Sequence, residues 1–419
     1  MVIASSDSNG TLVSLNHNGL KRSGSLEFLR ASPTTQSFEF LPTDLLLPRE
    51  EFFDDDESFY SCSDDEVLAK NLNNNNTRDC LYLPSSDQLS VDECVKCIPT
   101  MMETCDELLS QGPRNFTLAC RTRVLYAGQR EVAHAVPLQC DVIMSDKATT
   151  CHILALRSVS SRGVPLASLA HIDGTSYEAC IRAMVLRHLH HHQMDDSLIT
   201  QQGEEKKDTG GDENDGDTNL MELDVHIMGG FEDRDGTSRN ISNWLLRVLA
   251  DISTEEKHRM VTTLRTCAIS SINDDGHGGP IGRGLGIRLR TGDVFLASCD
   301  PAAAGPDSVL RSLRLWSNDN GQPQLEVIHD EGLNMLKVSP FYFAPFPELN
   351  SLLKLSDRRL LKHTSTSPEC EDDDFCPRLR RALVFLRDVP AERIFGMELN
   401  RTRHFKRIGL SNSWKGLHA

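Results

Sequence analysis

The chain is short of positive charge. Its 44 lysines and arginines face 61 aspartates and glutamates, a formal net charge of −17. That balance argues against a nucleic-acid backbone or an anionic membrane as partner, and runs such as 54–57 and 371–374 read as solvated segments. No apolar run approaches the ~20 residues that cross a bilayer, and the polar start at Met1 lacks the basic-then-apolar order of a secretory leader. A disulfide framework is missing as well. The thirteen cysteines are odd in number and irregularly spaced, which predicts reduced thiols and a cytoplasmic or nuclear protein. Cys94-Val95-Lys96-Cys97 has no second pair at zinc-ligand spacing, so two incidental thiols are expected and no metal. Gly282-Arg283-Gly284-Leu285-Gly286 lacks the βαβ setting of a phosphate loop, and its glycines read as strand-entry positions. There is no internal repeat.

What is present falls into blocks. Residues 1–110 alternate Ser, Asn and Asp clusters with short apolar patches. They bury too little apolar surface to offset their ordering entropy, so a long disordered extension is expected, with one short helix near 95–109. Order is expected from about residue 114, with strands at 116–126, 130–136, 151–159 and 165–172, the last two turned by Arg162-Gly163. Thr175-x-x-Glu178 is a capping-box pattern opening a helix, with Ala179, Ile181, Ala183, Met184, Leu186 and Leu189 at helical spacing. That helix ends in His188-Leu189-His190-His191-His192. Histidine runs invite a metal reading, but cations suit a helix C-terminus in any case and no acidic or thiol ligand is suitably spaced. Residues 193–219 read as a disordered acidic insertion.

Beyond it the pattern predicts a strand at 223–227 broken by Gly229-Gly230, a helix at 238–252 and strands at 260–272, 284–290 and 293–299. A helix at 306–316, a strand at 324–329, the aromatic run Phe341 to Phe346 and a helix at 378–386 follow. Strands and helices mix without strict βαβ alternation, which is the signature of the α+β class. The folded domain is placed at 111–400, with 401–419 as a C-terminal tail.

The stretch Ser145-Asp146-Lys147-Ala148-Thr149-Thr150-Cys151-His152 stands out. A small, hydroxyl-bearing approach ends in a cysteine where a strand begins. Twenty positions on, His171 lies at the end of another apolar run. Two strands finishing near one point bring a thiol and an imidazole together, the pairing that cysteine nucleophiles require. A free cysteine by default is a small buried hydrophobe; Cys151 differs in sitting where backbone N–H groups are placed to hold an oxyanion. His152 would turn away from Cys151 on an extended strand, so His171 is the preferred partner. Thr149 and Thr150 either line the site and orient the imidazole or only serve the strand and local backbone bonds.

These residues carry a resemblance. The stretch from Ser145 to His152, Ala170-His171-Ile172-Asp173-Gly174-Thr175, the 223–231 strand, 286–298, 339–347 and Ser365-Thr366-Ser367-Pro368, in this order, resemble the protein N-terminal asparagine amidohydrolase family over roughly 114–400. The resemblance implies a mixed β-sheet core flanked by helices, layered α-β-β-α. It implies deamidation of a peptide's N-terminal Asn to Asp with release of ammonia, through a thioester on Cys151 with His171 as acid and base and Thr150 beside them, and no cofactor. The product would feed arginyl transfer and ubiquitin-dependent degradation. The site layout is also similar to that of bacterial chemoreceptor deamidases and glutamine-deamidating toxins. An ion pair with His171 would lower the Cys151 pKa. Selectivity for a free α-amine needs a carboxylate, with Asp173 first, then Asp146, Asp224 and Asp233, and Thr149 as a further lining residue. The expected partners are peptides or proteins with a free N-terminal Asn, met by a monomer. Two alternatives stand beside this: a deamidase of internal Gln or Asn, and a non-catalytic reader of N-terminal residues.

Overall fold

The chain crosses from one β-sheet to another at residues 149–151, and that crossing positions everything of functional interest. The computed structural model describes residues 3–6, 12–15, 99–159, 163–200, 220–317 and 324–417. Strands β1 (Ile3–Ser6) and β2 (Leu12–Leu15) pair antiparallel, and helix α1 (Pro99–Ser110) precedes six strands. These are β3 (Arg114–Phe116), β4 (Val124–Tyr126), β5 (Glu131–Ala135), β6 (Val142–Ala148), β7 (His152–Val159) and β8 (Leu166–Ile172). Then come helix α2 (Glu178–Thr200), β9 (Met221–Gly229), helix α3 (Thr237–Glu255), β10 (Met260–Ile269), β11 (Arg283–Arg288) and β12 (Val294–Cys299). Helix α4 (Ser308–Ser312) leads to the short strands β13 (Glu326–Val327), β14 (His329–Asp330) and β15 (Met335–Val338). The chain closes with α5 (Leu349–Lys354), α6 (Asp357–Thr364), α7 (Phe375–Asp388), α8 (Ala391–Phe395), β16 (Arg403–Arg407) and β17 (Trp414–Leu417).

Two sheets dominate: a six-stranded one in the order β10-β9-β7-β8-β5-β13 and a five-stranded one in the order β3-β12-β11-β6-β4. Both mix parallel and antiparallel neighbours, so the α+β class holds. Alternation along the strands sorts the side chains. Ile153 and Ala155 of β7 meet Ile143 of β6 and Leu285 and Ile287 of β11 in one buried cluster between the sheets. Leu154, Leu156 and Ile172 face the other way, onto Ile181, Met184 and Val185 of α2 and Leu245, Val248 and Leu249 of α3. Each such side chain contributes roughly 1.5–3 kcal/mol by leaving water.

Several boundaries differ from the sequence reading. Helix α1 is part of the core, because Met101, Cys105 and Leu108, spaced four and three apart, bury one stripe. Strand β6 was hidden by its polar half, and residues 116–126 divide into β3, a turn and β4. Residues 401–417 of the expected tail are not a tail: β16 and β17 complete a four-stranded sheet with β14 and β15. Charge masked them. The one apolar side chain of β16, Phe405, is buried, and Arg407 stacks on Trp414. Nor is the run 371–374 merely solvated, since Asp372 pairs with Lys147 and Arg378. The acidic stretch at 54–57, the Cys94/Cys97 pair, Arg162 and residues 201–219 lie outside the described residues.

The histidine run has a structural role on the helix face of the larger sheet. Ser168 Oγ lies 2.6 Å from His134 Nδ1 and 2.8 Å from His188 Nε2. Ser158 Oγ in turn lies 2.7 Å from His188 Nδ1 and 2.8 Å from His192 Nε2. Each hydroxyl has one proton and each neutral ring one N–H, so the five groups satisfy one another only if the protons all run in one direction. A charged His188 would donate at both nitrogens and break that order. Burial pulls His134 down to about 4 and holds His188 well below its ordinary value. Burial likewise lowers His226, which sits against Thr266, to about 4.

Two outcomes are expected. Unfolded imidazoles titrate near 6.5 and these folded ones lower, so the unfolded state takes up protons first. Stability should be complete above about pH 7 and fall as pH drops through 6.5 towards 4, by about 1.4 kcal/mol per pH unit for each histidine. Urea unfolding at pH 7.5, 6.5 and 5.5 measures this; a flat profile would sink it. Second, Gly229 (φ +113°) carries no side chain because a Cβ there would lie 2.3 Å from the Cys151 carbonyl oxygen. Gly229→Ala should cost at least about 2 kcal/mol, seen as a lower melting temperature together with lost function at the neighbouring cysteine.

Candidate active site

The thiol and the imidazole arrive from the two ends of one hairpin. Strands β7 and β8 pair antiparallel with Ile153 opposite His171 and His152 opposite Ile172. Cys151, two residues before Ile153, therefore returns to the face that carries His171 and Asp173. That face looks onto the smaller sheet. There Ser145 of β6 lies with Oγ 2.8 Å from His171 Nδ1, and both residues are buried. His152 points the opposite way, with Nε2 2.7 Å from Ser242 Oγ of α3. Behind Cys151, the Gly230 N–H donates to the Cys151 carbonyl at 3.0 Å. Asn273 holds this glycine turn by donating from Nδ2 to the carbonyls of Gly229, Gly230 and Ala268.

Burial sets the charge state. It pushes the Cys151 thiol up to about 12, with the negative charge of Asp173 adding to the rise. It pulls His171 down to about 4, against the pull of Asp173 and Glu131. Burial thus favours a neutral thiol and a neutral imidazole over the ion pair expected from the residue types alone. A low-dielectric site penalises two separated charges more than water does.

Asp173 is the most elaborately held group. Oδ2 accepts from Arg130 Nε at 2.7 Å and from Gln129 Nε2 at 2.8 Å, and Oδ1 accepts from the Tyr177 hydroxyl at 2.5 Å. Burial alone would raise its carboxyl, but Arg130 and then Tyr177 hold it below the usual carboxylate range. Arg130 adopts a left-handed backbone (φ 63°) while its N–H donates to the His171 carbonyl, so one residue grips both ends of the His171–Asp173 segment.

The other residues singled out in the sequence divide. Thr150 is buried, and its Oγ1 lies 3.1 Å from Thr366 Oγ1. Neither it nor Thr149 is the partner of the His171 Nδ1; Thr149 sits half-buried beside Gly282. Asp146 is on the outer face of β6, away from the thiol, accepting from the Tyr126 hydroxyl and the Cys299 N–H. Asp224 pairs with Arg265, and Asp233 accepts from the N–H groups of Thr237 and Ser238 at the start of α3. Phe341 and Phe343 pack in the core with Phe395 and Phe385 rather than against the thiol. Sequence reasoning missed Ser145, Arg130, Gln129 and Tyr177 as neighbours. Ser145 opened the stretch singled out but was given no role, and Tyr177 carried a signal four residues past Asp173 at a helix start. Among the described residues no group of three or more His, Cys, Asp or Glu is arranged to hold a metal.

Comparison with known proteins bears on these residues. The model of the protein N-terminal asparagine amidohydrolase family matches residues 115–200 and 211–416. A protein N-terminal asparagine amidohydrolase of Sus scrofa is 28% identical over 270 residues, 64% of this chain and 76% of its own length. Its Homo sapiens counterpart is 27% identical over the same shares. One from Arabidopsis thaliana is 25% identical over 288 residues, 64% of this chain and 75% of its own. The matched stretches make up well over half the chain and contain Ser145, Cys151 and His171, and the chain belongs to the protein N-terminal asparagine amidohydrolase family.

Proposed function

We propose that this protein hydrolyses the side-chain amide of an N-terminal asparagine, giving N-terminal aspartate and ammonia, with Cys151 as nucleophile. What supports the reading is that Cys151 and His171 lie on one face of the β7–β8 hairpin, with Ser145 hydrogen-bonded to the His171 ring, in a chain of this family. Ser145 engages Nδ1 of His171 and leaves Nε2 to take the thiol proton as sulfur attacks the carboxamide carbon. Backbone N–H groups at the start of β7 receive the oxyanion. The imidazolium then protonates the departing ammonia, leaving a thioester. Water, deprotonated by the same ring, releases aspartate and the free thiol. Because the resting pair is neutral, the thiolate forms within the attack step instead of standing ready.

Asp173 is the carboxylate assigned to the substrate's α-ammonium. It faces the same side as Cys151, and its Oδ1 accepts from the Tyr177 hydroxyl, one bond on an oxygen with two lone pairs. Asp146 is excluded from this role by its position on the outer face of β6. N-terminal Gln would carry its amide ~1–1.5 Å too far, a misplacement that costs roughly 10²-fold. We place the reaction upstream of arginyl transfer and ubiquitin-dependent degradation, in the cytoplasm or nucleus.

Ammonia release and product mass from a short Asn-initiated peptide test the reading, with Gln-initiated and N-acetylated Asn peptides alongside. Turnover of the free Asn peptide alone, abolished in Cys151→Ala, is expected. Turnover that survives this substitution would mean another nucleophile; turnover of the acetylated peptide would favour a deamidase of internal residues. Ser145→Ala, which removes the hydroxyl from the His171 Nδ1, should lower kcat about 10- to 100-fold with little change in KM.

A further inference from the structure

Arg283 opens β11 opposite Ala148, the last residue of β6 before the chain crosses to Cys151. The preceding Gly282 lies against Thr149 in that crossing. The half-buried guanidinium is tied at one point. Nε donates to Asn273 Oδ1 at 3.1 Å, and Asn273 Nδ2 donates to the carbonyls of Gly229 and Gly230. Arg283 is thereby anchored to the turn whose Gly230 N–H bonds the Cys151 carbonyl.

What Arg283 lacks is an anion. Among the described residues its Nη1 and Nη2 have no hydrogen-bond acceptor. Burial draws the group below its ordinary value, and no carboxylate opposes the shift. The other cations around the crossing are matched, Arg130 with Asp173, and Lys147 and Arg378 with Asp372. The carboxylates of the loop leading to β11 are turned elsewhere. Asp274 Oδ1 accepts from the Glu232 N–H at 3.1 Å, and Asp275 Oδ1 accepts from the N–H groups of His277 at 2.7 Å and Gly279 at 2.9 Å. A half-buried cation without a counter-ion gains most from a ligand that brings one.

The sheet order says which part of a substrate would meet it. Gly229 ends β9 on one side of the Cys151 strand, and Asp173 follows β8 on the other. We propose that Arg283 is a specificity-determining residue that pairs with an acidic side chain directly following the N-terminal asparagine. The proposal rests on deamidation at Cys151 with the α-ammonium on Asp173. From the asparagine Cα the ammonium branches to the β8 flank and the carboxamide to the thiol, which leaves the following residue to the flank of Arg283.

Steady-state kinetics on peptides that begin Asn-Glu, Asn-Gln and Asn-Lys and are otherwise identical test this. They are run on the full-length protein and on Arg283→Gln, Arg283→Lys and Arg283→Glu. The wild type should show a KM about three- to tenfold lower for Asn-Glu than for Asn-Gln, with kcat alike, since the pair lies away from the reacting atoms. The preference should vanish in Arg283→Gln, persist in part in Arg283→Lys, and turn in favour of Asn-Lys in Arg283→Glu. The chain's net charge of −17 works the other way, toward basic peptides, so the sign of the preference separates a local pair from long-range attraction. Equal KM values in the wild type, a preference for Asn-Lys there, or an Asn-Glu preference that survives Arg283→Gln would each overturn the proposal. Binding of the same peptides to Cys151→Ala, with and without Arg283→Gln, followed by fluorescence anisotropy, needs no turnover. An Asn-Glu preference in binding that Arg283→Gln removes, in a protein that deamidates none of the peptides, would keep the specificity role and overturn the reaction. Neither binding nor turnover of any peptide would overturn both.

Discussion

The hydrogen bond between Ser145 and His171 is the contact on which the site depends, because its partners belong to different sheets. Ser145 lies on β6 of the five-stranded sheet and His171 on β8 of the six-stranded one. Only when the sheets pack face to face, and the chain crosses between them directly after β6, do the serine and the histidine meet on the face that also carries Cys151. The crossing is tight, with Lys147 in the left-handed region (φ 58°) and Gly229 and Gly230 behind Cys151 where no side chain fits. Catalytic geometry and tertiary packing are therefore a single constraint here. A slip of one residue between β7 and β8 would turn His171 to the helix face.

Dryness is the second theme. His171 is buried and Cys151 half-buried, and burial moves both away from their charged forms. Two permanent charges there would each need compensation in a medium that repays little of the loss of water. The neutral resting pair avoids that cost until substrate arrives. On the proposed reading, creating the charges during the reaction requires fixed dipoles, and the fold supplies one in the Ser145 hydroxyl on the imidazole. Hydroxyls suit this role because they donate or accept as the proton moves, whereas a carboxylate only accepts.

Much of this was legible in the sequence, and the gaps have physical causes. The β7–β8 hairpin, the placing of Cys151 and His171 on one face and the turning away of His152 followed from apolar runs and two-residue alternation, which are local signals. Helix α3 and the β11–β12 hairpin were found for the same reason. Strand β6 was missed because Ser145, Asp146 and Lys147 break the apolar run begun by Val142, although Ser145 and Asp146 are buried. Their burial is made tolerable by His171, Tyr126 and Cys299, partners contributed by distant segments. Strand β16 failed similarly, since the alternation of Arg403 to Arg407 offers only Phe405. Contacts such as Arg130 with Asp173, or Thr150 with Thr366, join stretches that no periodicity relates.

Asp173 shows why the nearest carboxylate to a thiol is a mixed asset. Its charge stabilises a protonated His171 but opposes a negative sulfur. Arg130 offsets part of that opposition, and it is bound through Nε to the same oxygen that Gln129 engages, which fixes where the remaining charge is felt. On the proposed reading, a substrate's α-ammonium seated at Asp173 brings a second positive charge to this point. It cancels what is left of the carboxylate's effect on the sulfur at the moment the carboxamide is in reach. An acetylated or internal residue brings no such charge, so the thiol beside it keeps its proton. Selection of a free N-terminus and activation of the nucleophile then become one electrostatic event. On that reading, a site whose burial holds the thiol up to about 12 turns reactive only when a free N-terminus fills it.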